Sequence, residues 1–298
     1  ELREALVALV VGAIACLQLL SQLIPSLVHV RSRPGSTPLL VCCLHTCSQQ
    51  CEGVQLLVRA DAALDVRRKS DGVCAAHLCA NAGCSSCLKL LITRAPQLVD
   101  LRDRQQRLPL HAAASASDTA CECVTILLSA GSEVNAQTNA LDSPLHLACR
   151  SGACSIGRLL LHYRASPSLR NAKRRTSLHE AAAAHRSQLI QPLIRANADC
   201  HVTDTGGLNC LQLALKHATD QCNVAQLALC FALLVEAGVP VIVTFLQQLR
   251  LGYDFAEDVV EEDGEEDGVG LVPKLFDLCE AQLCNMLRSD LVLSTLLI

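Results

Sequence analysis

One short phrase recurs along this 298-residue chain at a nearly constant spacing, and internal repetition limits the available folds more than any other sequence feature. It reads Leu108-Pro109-Leu110-His111, Ser143-Pro144-Leu145-His146 and Thr176-Ser177-Leu178-His179. Weaker copies are Thr37-Pro38-Leu39-Leu40, Cys74-Ala75-Ala76-His77 and Asn209-Cys210-Leu211-Gln212. The second residue of each phrase falls at 38, 75, 109, 144, 177 and 210, so successive copies lie 37, 34, 35, 33 and 33 residues apart. A unit of that length is a single supersecondary element. It cannot bury an apolar face by itself and must stack on its neighbours. Composition points the same way. Hydrophobic residues make up 51% of the chain but aromatic ones only 2%, with no Trp. A core of Ala, Leu, Val and Cys is built from many small contacts, which suits thin helical layers better than a broad sheet. At 18% charged residues, the chain is not of the intrinsically disordered class.

Further landmarks keep the register. Four residues after each anchor stand Cys42, Cys79, Ala113, Ala148, Ala181 and Ala214, all small. Eight after it, Gly83 and Gly152 suit a left-handed helix stop. The Leu159-Leu160-Leu161 group marks a second helix, and Ala130-Gly131, Arg164-Ala165, Asn197-Ala198 and Ala237-Gly238 close successive units. The period and the Pro-Leu-His phrase resemble the ankyrin repeat, whose unit is a turn and two helices. The resemblance implies an all-α ankyrin-repeat solenoid of about seven helix-turn-helix repeats over residues 1–243. The first copy is read from the ungapped match of residues 17–38 to 88–109. Its opening hairpin is missing, so a truncated N-terminus is expected. The long separations place insertions between Cys43 and Val54 and between His217 and Leu233. Pro192 falls inside a second helix, where a kink or a late start is expected.

The longest apolar run, Ala5 to Leu17, has 13 residues, short of the ~20 a membrane span needs. No membrane partner is expected. Nineteen cysteines suggest a disulfide scaffold at first, but the spacing is irregular and the chain is long enough to build a core without one. Many of them occupy positions that want a small apolar residue. A reducing, intracellular setting follows: the cytoplasm, and the nucleus as well.

Catalytic chemistry finds little support. His77, His111, His146 and His179 lie one repeat apart, a ladder and not a cluster. The family resemblance implies that they tie backbone near the turns. Cys84-Ser-Ser-Cys87 has no second CxxC to complete a zinc site. No phosphate loop, nucleophile elbow or HExxH occurs. No catalytic residue, metal or cofactor is expected.

Basic residues gather in the turns before the anchors: Arg31 and Arg33; Arg67, Arg68 and Lys69; Arg102, Arg104 and Arg107; Lys173, Arg174 and Arg175. These are 11 of the 25 Lys and Arg. The candidate partner-binding residues are Arg67, Arg68, Lys69, Arg102, Arg104, Lys173, Arg174 and Arg175, a stripe suited to a target protein with an acidic face. Solvated turn charges are the plainer reading. A net charge of −4 argues against nucleic acid. Glu257 to Asp267 carries eight carboxylates, and such a block is expected to stay at least partly disordered.

Residues 244–270 therefore read as a short helix and acidic linker, and residues 271–298 as a second, truncated segment. There Pro273 opens a helix in which Leu275, Cys279 and Leu283 share one face. Leu-x-x-x-Cys-x-x-x-Leu after an ankyrin array resembles the BC box that begins a SOCS box. The resemblance implies elongin B/C and a cullin as partners, and a substrate-recognition adaptor of a ubiquitin ligase. Lys274 and Glu280 depart from the family pattern, and the cullin-binding element is absent. Leu145, Cys149 and Ala153 match the pattern too, inside an ankyrin helix. The alternative is a non-enzymatic scaffold whose last helix caps the solenoid.

Overall fold

A computed structural model describes residues 28–29, 31, 35–44, 50–217, 229–230, 232–234 and 237–238. The expected first repeat, Arg33, and everything expected of residues 244–298, including Leu275, Cys279 and Leu283, lie outside the described residues.

Helices come in pairs, one pair per repeat. They are α1 (Pro38–Leu44) with α2 (Gln50–Arg59), α3 (Ala75–Asn81) with α4 (Ser85–Arg94), and α5 (Pro109–Ser115) with α6 (Cys121–Ser129). Then follow α7 (Pro144–Ser151) with α8 (Cys154–His162), α9 (Ser177–Ala183) with α10 (Ser187–Arg195), and α11 (Cys210–Lys216). Each first helix begins at an anchor residue of the recurring phrase. No strand is present among the described residues.

The phrase works as a helix start. Proline at the first helical position has φ preset and gives up an N–H that would be orphaned there anyway. Two residues on, the histidine turns back. His111 Nδ1 accepts from Leu108 N–H at 3.1 Å, His146 Nδ1 from Ser143 N–H at 3.2 Å and His179 Nδ1 from Thr176 N–H at 3.3 Å. Imidazole thus fills the role of Glu or Gln in a capping box. The most degenerate copy recovers the geometry with other atoms. Asn209 N–H donates to Gln212 Oε1 at 3.0 Å and Gln212 N–H to Asn209 Oδ1 at 2.8 Å.

First helices stack on first helices (α3 on α5, α5 on α7, α7 on α9, α9 on α11) and second helices on second helices (α2 through α10 in sequence). The small positions Cys79, Ala113, Ala148, Ala181 and Ala214 are fully buried, which lets the inner layer approach closely. Leu110, Leu145 and Leu178, one after the anchor, are fully buried too. Each contributes about 1.5–3 kcal/mol on leaving water. Gly152 ends α7 with φ 81°, as its position in the phrase predicts.

Pro192 does not delay its helix. α10 starts ten residues after its anchor, as α4 and α8 do, and runs continuously through Pro192. The Leu189, Ile190 and Leu193 side chains, all fully buried, hold it against the array despite the missing backbone donor.

Candidate functional site

The turns between repeats form a row of fingers. At their base an Asp, Asn or Thr six residues before the anchor folds the turn onto its own side chain. Asp103 Oδ1 accepts from Gln105 and Arg107 N–H, both at 2.8 Å. Asn171 Oδ1 does the same for Lys173 and Arg175 at 3.0 Å, and Asp204 Oδ1 for Gly206 and Leu208 at 2.7 and 3.1 Å. Thr138 Oγ1 serves Ala140 and Asp142. Each finger is then joined to the next by a single backbone bond: Arg104 N–H to Asp71 O, Asn139 to Gln105, Ala172 to Ala140 and Thr205 to Lys173, at 2.9–3.0 Å. Three residues before each anchor the chain turns with positive φ, at Gly35, Gly72, Gln106, Leu141, Arg174 and Gly207. Only half of these are glycine. Glycine therefore did not mark this left-handed position in the sequence, and Leu141 adopts φ 58° while 46% exposed.

The basic residues divide into three kinds. Arg68, Arg107 and Arg175 turn inward to carboxylates: Arg68 to Asp71, Arg107 Nε to Asp103 at 2.7 Å, and Arg175 Nε to Asp204 at 3.2 Å. The Arg68 hydrogen bonds hold the Asp71 carboxyl below its ordinary value. Burial pushes Asp204 up, but N–H donors from Leu208 and Gly206 together with Arg175 outweigh it and the net shift is downward. Arg67 and Arg102 reach sideways. Arg67 donates to Arg102 O at 3.0 Å, and Arg102 to Gln137 O at 3.3 Å and Glu133 at 3.3 Å. Lys69, Arg104, Lys173 and Arg174 are exposed and carry no side-chain hydrogen bond or ion pair among the described residues. The sequence stripe thus contains four outward cations on three fingers, and the other members shape the fingers themselves.

For His77, His111 and His146 the histidine ladder is a structural tie between repeats. With Nδ1 accepting, the proton sits on Nε2, which donates across the repeat boundary: His77 to Arg107 O at 2.9 Å, His111 to Ala136 O at 3.1 Å and His146 to Arg175 O at 3.0 Å. Burial lowers the pKa of all four, that of His111 to about 4, so they are neutral near pH 7. Most of the described cysteines are buried and pack as small apolar groups. Burial raises Cys42, Cys123 and Cys210 to about 12. Among the described residues no group of His, Cys, Asp and Glu side chains is placed to hold a metal ion. No helix among them is long and apolar enough to cross a membrane.

Sequence reasoning missed a polar cluster where the fingers meet the inner helices. Arg150, in the last turn of α7, binds Asp142 with both terminal nitrogens at 3.1 Å and Glu180 of α9 through Nε at 2.9 Å. Asn171 Nδ2 bridges the same two carboxylates at 3.0 and 3.1 Å. Burial raises the Asp142 pKa, but Arg150 and Asn171 outweigh it and leave the carboxyl low. The cluster borders a pocket of about 560 Å³ lined also by Ala140, Ala172, Ala183, Ala184 and Lys173. The phrase register gave no signal for it, because its members come from two repeats and four different register positions.

A family model for ankyrin repeats in three copies matches residues 44–138 and 99–171, the same stretch in which paired helices, fingers and histidine ties recur. This stretch of the chain is built of ankyrin repeats. Ankyrin repeats imply protein–protein interaction, and proteins built of them are generally non-enzymatic. The ankyrin region is similar to the mouse B-cell lymphoma 3 protein homolog, 29% identical over 56% of this chain and 36% of that protein. It is similar to zebrafish ankyrin repeat and SOCS box protein 11, 30% identical over 43% of this chain and 41% of that protein. It also resembles human ankyrin repeat domain-containing protein 53, 37% identical over 27% of this chain and 16% of that one. The matched region covers less than half the length of each of these relatives.

Proposed function

We propose that this ankyrin array recognises a protein target through an acidic face, as the substrate-selecting arm of an elongin B/C–cullin ubiquitin ligase, without catalysis of its own. The carrying observation is the set of exposed, unengaged cations Lys69, Arg104, Lys173 and Arg174 on three fingers of one row, with the uncharged finger of Gln137, Thr138 and Asn139 between Arg104 and Lys173. Fingers joined by backbone bonds hold such charges at fixed separation, so an acidic partner meets them preorganised. The ligase half of the reading is supported by likeness to a protein named for a SOCS box and by Leu275, Cys279 and Leu283 at BC-box spacing.

A second reading keeps the array as a scaffold with a C-terminal cap. One observation favours it. The same Leu-x-x-x-Cys spacing occurs at Leu145 and Cys149 of α7, where both side chains are fully buried in the ankyrin core. In a chain rich in Leu and Cys, the pattern also serves plain packing.

A pull-down with elongin B/C separates the two. Wild type binds and Leu275→Ser with Cys279→Phe does not, if the adaptor reading holds; wild type that fails to bind leaves the scaffold. Charge reversal to Glu at Arg104, Lys173 and Arg174 tests the fingers independently. It weakens target binding and flattens its salt dependence.

A further inference from the structure

Arg150 is held in an uncommon way. Its three hydrogen bonds to Asp142 and Glu180 use Nε and both terminal nitrogens, whose N–H groups point out from the edges of a planar guanidinium and not from its faces. The carboxylate side chains are nearly covered, at 11% and 6% exposure, while that of Arg150 stays 46% exposed. Asn171 ties both carboxylates together, which keeps the guanidinium from swinging away. Four alanines, Ala140, Ala172, Ala183 and Ala184, line the adjoining pocket of about 560 Å³, a size typical of ligand sites. Methyl walls beside an edge-locked, face-open guanidinium make a seat for a planar ring, by stacking and cation–π attraction. A free oxyanion is a poor occupant, since the carboxylates already take the N–H groups it would need. The lining holds no Phe, Tyr or Trp, and its one ring is the imidazole of His217.

We propose that this pocket receives one aromatic side chain from a partner segment in which acidic residues flank the aromatic. The acidic flank rests on the finger reading above. Lys173 at the rim and Arg174 beside it are exposed, and lining cations outnumber lining carboxylates three to two.

The test pans the full chain against a random dodecapeptide library on phage and measures affinities of enriched peptides by fluorescence polarisation. Enriched peptides are expected to share a Phe, Tyr or Trp beside Asp or Glu. Replacing that ring by Ala weakens binding tenfold or more on wild type, but less than twofold on Ala184→Leu, which fills the pocket and leaves the Arg150 bonds intact. Arg150→Lys keeps the charge without the plane and loses several-fold for ring-bearing peptides only. Circular dichroism and urea unfolding confirm that both variants are folded. A library that enriches nothing, or a ring whose contribution is equal on wild type and both variants, overturns the proposal. Ring-free acidic peptides that depend on Lys173 and Arg174 overturn the pocket and leave the finger reading standing. Ring-dependent peptides indifferent to reversal of Lys173 and Arg174 retain the seat and remove the acidic flank together with the finger reading.

Discussion

Replacement of His111 probes the bond that joins one repeat to the next. The imidazole is fully buried and makes two bonds of different reach, accepting from Leu108 N–H within its own repeat and donating to Ala136 O across the boundary. His111→Ala leaves both backbone groups unpaired in the interior, at about 1–3 kcal/mol each, and opens space the helices fill only in part. A loss of about 2–5 kcal/mol is expected from urea unfolding at pH 7.5. His111→Gln separates the contributions, because Gln212 already performs the local half of this task for α11. It should restore the Leu108 bond and lose roughly half as much. The histidine also imposes a pH dependence. Its folded pKa of about 4 lies below the 6.5 of an unperturbed imidazole, so between those values the unfolded chain holds a proton that the folded chain refuses. This contribution to stability is complete above pH 6.5 and declines as pH falls toward 4, by roughly 3 kcal/mol at ~1.4 kcal/mol per pH unit. His77, His146 and His179 shift in the same direction and add to the trend. His111→Gln removes its share of the slope. Wild-type stability that is flat from pH 7 to 5, or a Gln variant as unstable as the Ala variant, would refute the assignment.

Pro192→Ala restores a backbone donor and removes a ring from the interior of α10. It should stabilise by about 1–3 kcal/mol, seen as a higher urea midpoint, and a lower midpoint would mean that the ring's packing outweighs its backbone cost. Thiol alkylation of the native protein at pH 8 should modify the partly exposed Cys84, Cys121 and Cys154 first and spare the buried Cys42, Cys123 and Cys210. Peptide mass spectrometry showing a buried site labelled ahead of an exposed one would contradict the burial-based order.

Much of the array is legible one residue at a time, because a repeat imposes the same local task at a fixed period. Pro38, Pro109 and Pro144 start helices where the phrase places them, and the small residues four positions on are buried. Gly152 stops α7. Local signals fail where tertiary contacts override them. Of the kink or late start expected at Pro192, the late start does not occur: α10 begins in register and continues through Pro192 over the buried Leu189, Ile190 and Leu193. Positive φ at Gln106, Leu141 and Arg174 escaped notice since none of these is glycine. The turn is closed instead by Asp103, Thr138 and Asn171 from three residues earlier in the chain.

The sequence alone determined the repeat, its register and the ankyrin class, since those depend on spacing along one chain. It also counted the finger cations, but their roles required three dimensions. Arg107 and Lys173 are both cations in the finger turns. Only the folded fingers bring Asp103 against the first and leave the second facing water. Arg150 shows the same limit, because its partners Asp142 and Glu180 come from different repeats and meet only once α7 and α9 have stacked. Charge positions are set by contacts between modules, and no period within a module encodes them.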